Sequence, residues 1–293
     1  MDESRLRHRW ERPIVLGSFL LNVLLFAGAI LLLKYGGDWL DAHPILAKYT
    51  KELQTLAGAM LFAPVINVFL RNTRRAKIRA NSARVSSEQF PEIHTVLERF
   101  SAALGVHPVP DLYVWEDAPD FSTASSAWKT HYIVLKPKPL LKDLSAGRDI
   151  IEFLIGRELG RIRLGHTRWW DELLTTYVVK IPVLRNPLLQ VRMLSQDRYG
   201  ARLASSALRG LVLHATGPGL IEQTNLPAFA RDARASRSFW QMASALSRPH
   251  PHLALRIQAL SNAGLLEPGR EPPRDAATRS LGGAPLKNRT ARV

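Results

Sequence analysis

The sequence predicts an α+β protein: a mainly helical domain with a small β-sheet, preceded by a transmembrane helical hairpin. Three observations predict it. Two apolar runs without a charge, residues 14–33 and 53–70, occupy much of the first quarter of the chain. Beyond them, apolar side chains recur mostly at helical spacing. Two short runs rich in β-branched and aromatic residues, 111–115 and 131–135, interrupt that spacing and read as strands.

Residues 1–13 form a basic leader with Arg5, Arg7, Arg9 and Arg12. The first span covers 14–34, where twenty uncharged residues match a hydrocarbon core about 30 Å thick. No A-x-A cleavage site follows and the apolar run exceeds that of a signal peptide, so it reads as an anchor. Residues 35–52 connect it to a second span, 53–70, which contains Pro64. The shorter length of the second run also suits a buried core helix. Ala59 and Ala63 form a small-xxx-small pair at which the two spans can pack. A basic linker follows at 71–85, with Arg71, Arg74, Arg75, Lys77, Arg79 and Arg84. Lys34, Lys48 and Lys51 are balanced by Asp38, Asp41 and Glu52. The positive-inside rule therefore places both termini and the soluble domain in the cytoplasm and residues 35–52 outside. The net charge of +15 then faces membrane lipids as a partner. The linker arginines have no interleaved aromatics, which argues against nucleic acid.

Residues 86–265 read as one soluble domain. Ser86-Ser87-Glu88 opens a helix through Ile93, Val96, Leu97, Phe100 and Leu104 that Gly105 ends. After the two strands, helices are expected at 145–164 with Ser145 as cap, 188–210, 239–246 and 252–260. Residues 173–191 are apolar but carry Lys180, Arg185 and two prolines. They fit a segment against the membrane surface or a packed loop. The tail, 266–293, is rich in proline, glycine and arginine and reads as disordered. The absence of cysteine excludes disulfides, thiolate zinc sites and cysteine nucleophiles. No G-x-S-x-G elbow or phosphate loop is present.

One helix carries a broken motif. Gly156-Arg157-Glu158-Leu159-Gly160-Arg161 has the frame of H-E-x-x-H, with arginine at both histidine positions. In that motif two imidazoles at i and i+4 hold zinc and the glutamate polarises the attacking water. A guanidinium has no lone pair to offer a metal.

The helix continues Ile162-Arg163-Leu164-Gly165-His166-Thr167 and, with the N-terminal membrane helices, resembles the HtpX-type zinc metallopeptidases, a membrane-associated gluzincin family. Members read G-H-E-L-G-H-I-x-L-G-H-T, so only the two ligand positions depart. The family's third ligand is a glutamate four residues before an Asp-Arg pair. Here Asp197-Arg198 matches that pair and the ligand position is Met193. The family's H-P-x-x-x-x-R-I segment matches from His250 through Arg256 to Ile257. Asp120-Phe121-Ser122-Thr123-Ala124 resembles the segment before the family's substrate-side strand. The resemblance implies a zincin-like domain that lacks all three zinc ligands, with no cofactor and with Glu158 as a vestigial base.

Three arrangements of the arginines are open: they satisfy Glu158 and Asp197 internally, they form an anion site for a carboxylate or phosphate, or they point away. Without a metal, Glu158 is expected to serve as an ion-pair partner. His166, His214, His250 and His252 are each expected to be capping, packed or exposed. Three functions follow. The favoured one is a membrane-anchored pseudopeptidase, not an enzyme, that binds another protein or peptide as an adaptor or assembly factor. Strand addition at an edge formed by Tyr132, Ile133 and Val134 would be its capture mode. The alternatives are an active metalloendopeptidase with an atypical or partner-completed metal site, and a structural subunit of a membrane complex.

Overall fold

The computed structural model describes residues 6–127, 130–140, 148–235, 238, 240, 244–245 and 247–266. Ser145, most of the helix expected at 239–246 and the tail from 267 onward lie outside the described residues.

The protein is mostly helical, with a small mixed sheet and two long apolar helices at its N-terminal end. The first, α1 (Glu11–Asp41), and the second, α2 (Thr50–Asn81), pack side by side. Both are long and apolar enough to cross a bilayer. Only 6% of the apolar window of α2 is buried, so α2 is not a core helix. At about 1.5 Å per residue each helix is roughly 46 Å long, well beyond the hydrocarbon thickness. The connection is accordingly shorter than expected: α1 runs on to Asp41, and only a helical turn, Pro44–Ala47, separates it from α2. The basic stretch from residue 71 is also no free linker, because α2 remains helical through Asn81.

The sheet contains β1 (Ala83–Arg84), β2 (Asp111–Val114), β3 (Ser122–Ser126) and β4 (His131–Leu135), in the order β1-β2-β4-β3. The β2–β4 pair is parallel and the others are antiparallel. Strand alternation divides the side chains between two faces. Leu112, Ile133 and Leu135 enter the main core, while Tyr113, Tyr132 and Val134 pack with Ile78 of α2. This order corrects one expectation. Tyr132, Ile133 and Val134 lie on an interior strand, hydrogen-bonded on both sides and buried. The edge strand beside them, among the described residues, is β3, which the sequence reading did not assign as a strand. Ser-Thr-Ala-Ser-Ser lacks the usual β-branched run, and burial of alternate small residues replaces that signal.

Helix α3 (Pro91–Leu104) begins at Pro91 rather than Ser86, since proline suits a first helical position. Gly105 closes it at φ 62°, a left-handed conformation that glycine adopts freely. At the centre lies α4 (Asp149–Arg163), buried continuously from Ile150 to Gly160. After a short α5 (Trp169–Leu174), α6 spans Pro182–Leu203. The helix expected at 188–210 is thus two helices. The chain leaves α6 at Ala204, and the Ser206 hydroxyl accepts from the Arg209 N–H to start α7 (Ala207–Leu220). Helices α8 (Leu226–Ala235) and α9 (Leu253–Asn262) close the domain.

Two glycines set the distance between α4 and α6. A Cβ at Gly160 would lie 2.4 Å from the Tyr199 Cβ, and one at Gly156 would lie 3.2 Å from the Gly200 Cα. The motif glycines therefore permit a close helix crossing, and with it Asp197 reaches Arg157 at 3.7 Å while Met193 shares the cleft wall with that arginine.

Candidate functional site

A cleft of about 590 Å³ opens against α4, between the segment leading into β3, α7 and the turn before α9. Arg157, Met193, His214, His250 and Arg256 line it. Glu158 and Asp197 lie behind that wall, each 0% exposed.

Helix α4 carries Asp149 and Glu152 in its first turn and Arg161 and Arg163 in its last, as the helix dipole favours. Its inward turn presents Glu158. The Ser122 hydroxyl donates to Glu158 Oε1 at 2.7 Å. Arg157 Nε stands 3.7 Å from the same oxygen, and Arg161 Nη1 stands 3.9 Å from Oε2. Asp197 is held far more tightly. Arg256 donates to it as a fork, Nε to Oδ2 at 2.6 Å and Nη2 to Oδ1 at 2.8 Å. That geometry is the strong, bidentate form of an ion pair.

Arg157 is the loosely held member. Its Nε is 3.7 Å from Asp197 Oδ1 and has no hydrogen-bond partner. Its Nη1 reaches His214 Nε2 at 3.5 Å. His214 Nδ1 faces the Gly210 carbonyl at 3.3 Å, so Nδ1 carries the proton and Nε2 accepts from the arginine. Burial and the positive charges of Arg256 and Arg157 push the His214 pKa down to about 2. The imidazole is neutral and stands edge-on to Phe121, with ring centroids 5.3 Å apart. Burial likewise lowers the His250 pKa. Burial, only partly countered by Glu158 and Asp197, lowers that of Arg157.

The expected residues Arg157, Glu158, Arg161, Met193, Asp197, His250 and Arg256 thus converge on one region. Tyr132, Ile133 and Val134 do not. Ser122 and His214 were not expected in the site. The alternation of Ser122, Ala124 and Ser126 was a weak signal for the former. Nothing in the sequence links His214 to an arginine 57 residues away. The three positions that would ligate zinc do not fit the ion, because two present guanidinium donors and the third a thioether. Among the described residues, no group of three or more His, Cys, Asp or Glu side chains is placed to hold a metal.

A second polar cluster joins the hairpin to the domain. Glu11, 1% exposed, accepts from His166 Nε2 at 3.1 Å and from the Ser195 hydroxyl, and pairs with Arg7 at 3.2 Å. Gln196 lies 3.2 Å from His166 Nδ1, which completes a neutral imidazole's bonding. Arg71 is not a lipid-facing charge. It is buried, donates to the Ser126 and Thr167 carbonyls and the Ser126 hydroxyl, and pairs with Glu172 at 3.0 Å. Its contact with Ser126 also covers the last residue of β3.

No protein-family model, curated protein or solved structure matches this chain. The residues themselves therefore carry the functional argument.

Proposed function

We propose that this chain is a non-catalytic binding protein anchored to a membrane by α1 and α2, with both termini and the domain on the cytoplasmic side. More particularly, it is a pseudopeptidase on the HtpX-type plan, an adaptor or assembly subunit for another protein. One observation carries the reading: guanidinium groups surround Glu158 and Asp197 where a metal-dependent peptidase needs a cation that activates water. A carboxylate beside Ser122 and two arginines has no activated nucleophile to serve. On its outer side β3, from Ser122 to Ser125, pairs with no strand among the described residues, so its main-chain groups could take an added peptide strand, a capture mode that requires no metal.

The test uses the full chain in detergent after dialysis against zinc. Substoichiometric zinc is expected, as is no cleavage of an unfolded substrate by either the native protein or Glu158→Gln. Cleavage that disappears in Glu158→Gln would overturn the reading.

A further inference from the structure

We propose that the cleft binds an oxyanion, a carboxylate or phosphate group, with Arg157 as its principal donor. This rests on the reading of the cleft as a binding site and names its ligand. Three observations lead there. Arg157 lines the cleft, is 7% exposed, and has one long hydrogen bond for a group that carries five N–H donors. Such an under-used buried guanidinium calls for a partner. The wall has one acid, Asp120, against Lys136, Arg157, Arg248 and Arg256. The carboxylates that could neutralise the arginines sit behind the wall, and Asp197 is already taken up by the Arg256 fork. His214 is neutral and accepts from Arg157, so it adds no charge beside a ligand. At about 590 Å³ the cleft holds more than a single ion, so the oxyanion would be the head of a larger molecule.

The experiment titrates inorganic phosphate, and separately acetate, into the full chain in detergent by calorimetry. Saturable binding is expected for at least one of them. Tighter phosphate binding would point to a phosphorylated ligand and tighter acetate binding to a carboxylate. Arg157→Gln should weaken binding about tenfold or more, as for loss of a charge-assisted hydrogen bond. Arg231→Gln, an exposed control outside the cleft, should leave it unchanged. If Arg157→Gln does not fold, Lys136→Gln and Arg248→Gln on the cleft wall should each weaken binding several-fold. No saturable binding, or equal binding in every variant, would overturn the proposal. Either result leaves the zinc and cleavage tests of the pseudopeptidase reading untouched.

A separate observation concerns residues 169–184. Asn22 of α1 donates to the Leu173 carbonyl at 3.3 Å and accepts from the Tyr177 N–H at 2.8 Å. Tyr177 donates to the Met60 carbonyl of α2 at 2.9 Å. Asn22 lies eight residues beyond Ile14, and Met60 ten residues before Leu70. At about 1.5 Å per residue these contacts stand roughly 12–15 Å inside the apolar runs. The segment also exposes Trp169, Ile181 and Val183. We infer that it enters the cytoplasmic leaflet beside the hairpin, a conclusion that rests on the hairpin spanning the membrane. The chain has no cysteine, so a single spin label can be placed at will. In vesicles, a label on Val183→Cys should be quenched more by oxygen than by a water-soluble nickel chelate, and one on Glu98→Cys the reverse. A Val183 label that behaves like the Glu98 label would overturn the inference. A third label on Leu24→Cys separates the causes: if it too is chelate-accessible, the spanning assignment has failed instead.

Discussion

The two buried polar clusters differ in how completely one acid of each, Glu11 and Glu158, is held. At the seam between hairpin and domain, Glu11 accepts directly from His166 and Ser195, and Asp171 from Arg192 at 2.7 Å. In the cleft, Glu158 has one hydrogen bond and two guanidiniums standing off at 3.7–3.9 Å, with its Oε2 unpaired. Buried polar groups are expensive unless satisfied. The seam therefore resembles a structural joint, and the cleft cluster retains unmet hydrogen-bonding capacity at Glu158 Oε2 and Arg157 Nε.

The largest effect should come from Arg256→Met. It strands Asp197, 0% exposed, without its fork, and losing one partner of a buried pair costs about 3–5 kcal/mol. Thermal unfolding in detergent would record it. A loss below about 1 kcal/mol would mean that Arg157 takes over the carboxylate, and the contrast between clusters would shrink.

Acid should act next. Burial, only partly offset by Glu11, pushes the His166 pKa from its ordinary value down to about 4. The unfolded chain therefore binds the proton first as pH falls. Stability is fully present above about 6.5 and declines toward pH 4, by up to about 3 kcal/mol from this group. His214, also depressed, adds loss in the same direction. Denaturation at pH 7 and pH 5 should show the decline, and His166→Gln should flatten part of it. An unchanged slope in that variant would place the sensitivity in the cleft.

Gly160→Ala tests the crossing that supports the cleft. The added methyl meets the Tyr199 Cβ at 2.4 Å, an atom bonded to the backbone that no side-chain rotation moves away. Overpacking of this kind costs about 1–3 kcal/mol. It should also weaken any cleft ligand, because Met193 and Asp197 move with α6.

The helix α4 was legible beforehand, but its crossing with α6 was not. Apolar spacing identified α4, Gly105 marked the end of α3, and the Asp197 and Arg256 positions followed from the motif resemblance. The strand β3 was not legible, since small polar residues carry little strand preference and only its pairing with β4 reveals it. The misplaced edge has the same origin: β4 is the more strand-like sequence and therefore drew the edge assignment, although strand order is a long-range property. Glu11 was hidden for another reason. A leader rich in arginine reads as a lipid-facing tail, and Glu11, buried within it, finds its partners 155 and 184 residues away.

The smallest effect is expected at Met193. The thioether is 8% exposed and lines the cleft, and no hydrogen bond or ion pair involves it among the described interactions. If it fills space and ligates nothing, Met193→Leu conserves volume and should cost less than about 1.5 kcal/mol. The cleft's charges are unchanged by the swap, so phosphate or acetate affinity should be unchanged too. A larger loss of stability, accompanied by altered metal content, would show that this position still takes part in a metal site and that the two clusters differ less than their hydrogen bonds imply.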